Sequence, residues 1–148
     1  MQSIGENNGN SMETLTYIAQ HGKDAGKQFE ITKMSADDAE WFAIRAFLAL
    51  GSSGIDVSDD IQSAGAGGLL KMAVTNFFKI KPDVLKPLLD EMMQTVKYIP
   101  DPATPMVKRP YVAGIIEDVR TKFEIRKTIL SFNTDFFDTA AIQISASK

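Results

Sequence analysis

The chain has one histidine, His21, set between Gln20 and Gly22 in a stretch whose two glycines and Asp24 suit a turn. A histidine in such a turn is ordinarily solvated. With no cysteine in the chain, Zn²⁺ would be left to carboxylates almost alone, an uncommon donor set. Asp56-Val57-Ser58-Asp59-Asp60 opens like a calcium loop, but its sixth position is Ile61 where the turn needs glycine. Its twelfth is Gly67 where a bidentate glutamate belongs, so it reads as an acidic, solvated loop. Gly65-Ala66-Gly67-Gly68 precedes a helical pattern, as a phosphate cradle would. No clear strand leads into it, and Lys71 is followed by Met72 rather than Ser or Thr, so a linker is the better reading. The carboxylate pairs Asp37/Asp38 and Asp59/Asp60 are sequence neighbours, which do not face each other on a helix. Those at a helix start answer to its dipole. No residue is assigned a catalytic, cofactor-binding or metal-binding role, and the expectation is a protein that is not an enzyme.

The remaining candidate chemistry is electrostatic. Lys108, Arg109, Arg120, Lys122, Arg126 and Lys127 gather in the last third, where they could meet phosphates. Glu117, Asp118 and Glu124 interleave with them, which reads as paired surface charge. The whole chain carries 16 basic against 19 acidic residues, so it has no general attraction to nucleic acid or anionic lipid.

The elements that would position these groups follow from periodicity. Residues 14–18 and 27–32 alternate with β-branched and aromatic side chains, and Gly22 and Gly26 lie between them. The pattern predicts a hairpin with Leu15, Tyr17, Phe29 and Ile31 on one face. Ser35 followed by Asp37 and Asp38 marks a helix start, and the helix should reach Leu50 and stop at Gly51. From Trp41 to Leu50 only Arg45 is polar, so this helix is expected to be buried nearly all round, in its own core or in a partner, with Trp41 largely buried. Residues 51–68 read as a small-residue loop. Residues 69–79 read as a second helix with Leu70, Val74, Phe77 and Phe78 inward. A third begins at Lys81-Pro82-Asp83 and carries a stripe of Leu85, Leu88, Leu89, Met92, Met93 and Val96, with Pro87 kinking it or delaying its start. Prolines at 100, 102, 105 and 110 forbid a helix there and leave an ordered loop or open hairpin. The last helix is expected over 112–131, with Ile115, Ile116, Val119, Phe123, Ile129 and Leu130 inward.

Together these predict a mainly α fold with a small N-terminal β-hairpin, a single-domain helical bundle. Residues 1–12 form a flexible polar tail, 13–137 the domain and 138–148 a C-terminal tail. A hydrophobic content of 44% and nine Phe residues are enough for a real core. No apolar run nears the roughly 20 residues that span a bilayer, and the polar start lacks a secretion signal, so a soluble cytoplasmic protein is expected. Phe132, Phe136, Phe137, Ile142 and Ile144 lie beyond the last regular stripe. They either cap the core or bind a partner.

The order of features resembles a known family. A hairpin ending in Phe29-Glu30-Ile31-Thr32-Lys33-Met34 runs directly into Ser35-Ala36-Asp37-Asp38-Ala39-Glu40-Trp41-Phe42-Ala43-Ile44-Arg45. A Gly-rich loop, two helices, a Pro-rich crossing and a charged helix follow. This resembles the tail assembly chaperones of long-tailed bacteriophages, in which such a hairpin precedes a helix carrying Trp and Arg. Phe29, Ile31, Lys33, Trp41 and Arg45 would occupy those places, and the likeness spans about 14–137. The chain departs in its longer polar start and longer end. The resemblance implies a non-enzymatic role: binding the tape-measure protein, helping to recruit the major tail protein, and leaving before the virion matures. It places the protein in the host cytoplasm and, with the nearly all-apolar helix over 41–50, suggests a homo-oligomer, while charge and hydropathy argue against membrane or nucleic-acid partners. The partner contact is expected at Phe132, Phe136, Phe137, Ile142 and Ile144. A structural virion subunit, such as a tail terminator or connector, and a small helical DNA-binding regulator are the alternatives.

Overall fold

The computed structural model describes residues 4–5, 12–52, 54, 76 and 79–146, with side chains except at 4–5, 47 and 134–146. Five strands and three α-helices are found among them: β1 (Ile4–Gly5), β2 (Thr14–Ile18), β3 (Gln28–Thr32), α1 (Ala36–Ser52), α2 (Pro82–Met93), β4 (Val96–Ile99), β5 (Arg109–Pro110) and α3 (Val119–Ala146). The expected loop beyond Gly54, with Asp56, Asp59, Asp60 and Gly65 to Gly68, lies outside the described residues. So do Leu70, Met72, Val74, Phe77 and Phe78 of the expected second helix. The chain divides into two compact units, Met1–Ser35 with Asp90–Ile129 and Ala36–Leu89 with Leu130–Lys148.

The first unit holds an antiparallel sheet in the order β1-β2-β3-β4-β5. The expected hairpin is present, pairing Leu15 with Ile31 and Tyr17 with Phe29, so the four apolar side chains share one face as their alternation requires. The fold is nevertheless α+β rather than a mainly α bundle, because β4 and β5 extend the hairpin. Val96 pairs with Ile31 and Tyr98 with Phe29, so the apolar rows continue onto β4. Phe29 and Ile31 are fully buried, and the Phe29 and Tyr98 rings lie 5.5 Å apart. Each such burial is worth roughly 1.5–3 kcal/mol, which the two hairpin strands alone could not have gained.

Val96 thus belongs to a strand and does not extend the helical stripe of α2. The switch occurs at Thr95, whose hydroxyl donates to the Met92 carbonyl at 2.7 Å and whose own carbonyl accepts the Thr32 amide at 2.9 Å. The Pro-rich crossing is an open hairpin between β4 and β5, held by hydrogen bonds from the Thr104 amide to the Asp101 carbonyl and from the Val107 amide to the Thr104 carbonyl.

In the second unit, Phe42, Ala49, Leu50, Ile80, Leu88 and Phe132 are buried. α1 begins directly after Ser35, as expected, but continues through Gly51 to Ser52. Its burial differs from expectation: Trp41 is 57% exposed, and Ile44 and Leu48 are also exposed. A run with almost no polar residues carries no phase. It shows that a helix is apolar, not which side turns inward. α2 starts at Pro82, where the missing amide costs nothing, and accommodates Pro87 within it.

α3 begins at Val119, seven residues later than expected, and runs to Ala146, through a stretch read as a tail. Among its described side chains, Thr121, Ile125, Ile129 and Phe132 are buried, whereas Val119 and Phe123 are exposed. The inward face is set by Ile125, Ile129 and Phe132 at helical spacing, which turns Val119 and Phe123 to the other side.

Candidate functional site

The turn around His21 is tied by several hydrogen bonds to the loop before α3 and to α3 itself. Gly22–Asp24 forms a single 3₁₀ turn with Gly22 at φ +53°. It presents Asp24, fully buried, to the loop before α3. The Asp24 carboxylate accepts the Glu117 amide at 2.9 Å, the Asp118 amide at 2.8 Å and the Lys27 ammonium at 3.0 Å. Burial alone would raise its pKa, but these donors outweigh it and hold the carboxyl at about 2. Lys27 also donates to the Ile115 carbonyl at 2.8 Å and to Glu117 at 3.1 Å, and its pKa is raised, chiefly by the bond to Asp24.

Beside this clamp, Glu124 of α3 accepts the Tyr17 hydroxyl at 2.5 Å on one oxygen and His21 Nε2–H at 2.6 Å on the other. Burial, then the hydrogen bond to Glu124, pushes the Tyr17 phenol up. The Tyr17 bond, then His21, holds Glu124 below the usual carboxylate range. His21 is therefore not simply solvated: it joins the turn to α3. Both Glu124 oxygens are engaged, so the trio's work is to tie β2, the turn and α3 together. Among the described residues no group of three His, Cys, Asp or Glu side chains is placed to hold a metal ion. No helix among them is long and apolar enough to cross a membrane.

The basic cluster is dispersed. Lys108 pairs with the buried Glu30 of β3, and Arg120 with Asp118 at 2.7 Å. Lys122 lies over the Tyr111 ring at 5.6 Å. Arg126 is half-buried, with Nε lacking a hydrogen-bond acceptor, and burial lowers its pKa.

What the structure offers a partner is apolar. On α1, Trp41, Ile44 and Leu48 stand at i, i+3 and i+7, so they share one face, and all three are exposed, Leu48 by 66%. Arg45 stacks its guanidinium 5.3 Å from the centre of the Trp41 ring and donates to the Trp41 carbonyl at 3.3 Å, which fixes the indole's neighbour in place. Monomeric surfaces scatter such residues singly, and a row of them marks a contact surface. Sequence reasoning expected Trp41 largely buried and left open whether the helix is covered by its own core or by a partner, so it did not single out this face. The signal available was the acidic start, Asp37 and Glu40, which lies on the same side of the helix and turns it toward water.

Of the expected partner residues, Phe132 is buried at 7% exposure. Phe136, Phe137, Ile142 and Ile144 follow it on α3, with side chains outside the described ones. Compared with protein-family models, with curated proteins and with solved structures, the chain shows no match.

Proposed function

We propose that the chain is a non-enzymatic assembly chaperone of the kind that serves long-tailed bacteriophages. It shields apolar helical faces of a tape-measure protein and helps recruit the major tail protein. The observation that carries this reading is the exposed Trp41–Ile44–Leu48 face of α1, which offers a helix-sized apolar strip on a defined backbone. An amphipathic client helix presents anchors at the same spacing, so two such strips bury one another without rearranging either backbone. The sequence order that resembles the tail chaperones puts Trp41 and Arg45 on this helix. The protein acts in the host cytoplasm and leaves before the particle is complete.

The test is co-expression with a tape-measure protein of a long-tailed bacteriophage. The parent chain should co-purify with that protein. The double variant Trp41→Ala, Leu48→Ser should lose it while keeping the parent's circular dichroism and melting temperature. Undiminished capture by the double variant would remove α1 as the contact. Finding the chain at stoichiometric level in purified particles would replace the chaperone reading with that of a virion subunit.

A further inference from the structure

The first unit carries a second exposed strip, and its chemistry complements that of α1. Val119 and Phe123 of α3 are 63% and 49% exposed, and Val112, next to Tyr111 in the chain, is 59% exposed. Lys122 and Arg126 stand among them. Val119, Lys122, Phe123 and Arg126 therefore share one helical face at i, i+3, i+4 and i+7. Of the acidic residues nearby, three are drawn elsewhere. Glu117 binds Lys27, Asp118 binds Arg120, and both oxygens of Glu124 are taken by Tyr17 and His21. Lys122 is held against the Tyr111 ring, and Lys127 is exposed one position beyond Arg126. Asp90 and Tyr111 act on the Arg126 charge, yet its Nε finds no acceptor among the described residues. The strip is apolar, basic and short of acceptors.

α1 has the opposite sign at the same spacing. Asp37, Glu40, Trp41, Ile44 and Leu48 fall at i, i+3, i+4, i+7 and i+11, with the two carboxylates and the three apolar side chains all exposed. The Arg45 charge lies over the Trp41 and Phe42 rings at the edge of the strip, leaving the acids to dominate its first turn. Two helical faces, each apolar along the middle and oppositely charged, are the arrangement that selects a partner and fixes its register.

We propose that α1 of one copy docks on the Val119–Arg126 face of α3 in a second copy. The contact joins two different surfaces, so copies associate either head to tail or through a reciprocal pair of the same contact about a two-fold axis. It covers the strip assigned above to the client, and on that reading the client competes with self-association, so apolar surface is hidden until assembly begins.

The experiment is analytical ultracentrifugation of the full chain over a wide concentration range, at low and high salt. The parent should exceed its 16.3 kDa monomer mass increasingly with concentration, and less so in high salt. Glu40→Lys and Lys122→Glu alter exposed or half-exposed positions, and each should weaken association by about tenfold or more, with melting temperature unchanged. Mixed together, the two variants should assemble again in alternation, because every contact between unlike copies brings an α1 strip against an α3 strip of opposite charge. The chain carrying both substitutions should assemble again. A constant monomer mass at every concentration overturns the inference, as does a single variant that assembles like the parent or a mixture that fails to pair. A monomeric parent that binds duplex DNA and loses it on Lys122→Glu would mark the α3 face as a nucleic-acid surface instead. Client capture is scored separately: a monomer that still co-purifies with its client sinks this inference alone, whereas assembly without client capture sinks only the function proposed above.

Discussion

Asp24 concentrates more of the first unit's polar bonding than its place in a hairpin turn would suggest. It is a buried charge, and its cost is offset only because two backbone amides and an ammonium converge on one carboxylate. Asp24→Asn keeps an acceptor but loses the charge, leaving Lys27 facing a neutral group, and should cost about 2–4 kcal/mol in urea unfolding at pH 7. The same group sets an acid limb. Its folded pKa, about 2, lies below the ordinary value near 3.8, so its contribution is complete above pH 4 and is lost as the pH falls from about 4 to 2. The shift corresponds to roughly 2 kcal/mol, and the parent and Asp24→Asn should converge in stability across that window. Gly22 is constrained as firmly. At φ +53° a side chain is strained, and a Cβ there would meet Asp118 Oδ2 at 2.6 Å. Gly22→Ala should therefore cost roughly 1–3 kcal/mol in the same assay, from strain and from displacing Asp118 from Arg120. None of this was legible in the sequence, where Asp24 is only one more turn residue, because the amides that bind it come from about ninety positions further along.

At the scale of elements, the sequence was readable wherever one period applied and ambiguous wherever two did. Leu15, Tyr17, Phe29 and Ile31 alternate strictly, and their shared face is in place. Leu85, Leu88, Leu89, Met92 and Met93 read as a helical stripe and lie buried or half-buried on α2. Val96 fits both the next place in that stripe and the first place of a β-branched and aromatic strand. Pairing with Ile31 decides for the strand, a contact that local pattern does not contain. The loss of that strand from the sequence reading is what turned an α+β fold into an expected bundle. α1 failed differently, since ten nearly unbroken apolar residues give no phase. Its exposed Trp41 yields a clear expectation. Trp41→Ala should change the unfolding free energy by no more than about 0.5 kcal/mol, the range for surface positions, where a core tryptophan would cost about 3–5. A loss of several kcal/mol in chemical denaturation would return Trp41 to the interior and remove the strip from α1.

At the scale of the whole molecule, the long α3 contributes to both compact units, and its far end contains the residues expected from sequence to meet a partner. Phe132 is separable from the rest of that group, because it is buried while Phe136, Phe137, Ile142 and Ile144 lie beyond it. Two truncations one turn or less apart divide the possibilities. A chain ending at Ser131 loses the Phe132 side chain from the second unit's core. It should be destabilised by about 3–5 kcal/mol, as for truncation of a core Phe. A chain ending at Asn133 keeps it and should unfold within about 1 kcal/mol of the parent if the later apolar residues serve a partner rather than the core. Denaturant midpoints of the two chains, read beside co-purification with the tape-measure client, distinguish the roles. Retained stability with lost capture in the Asn133 chain extends the client surface from α1 to the end of α3. Equal collapse of both chains makes Phe136, Phe137, Ile142 and Ile144 part of the core, and leaves α1 as the client's contact.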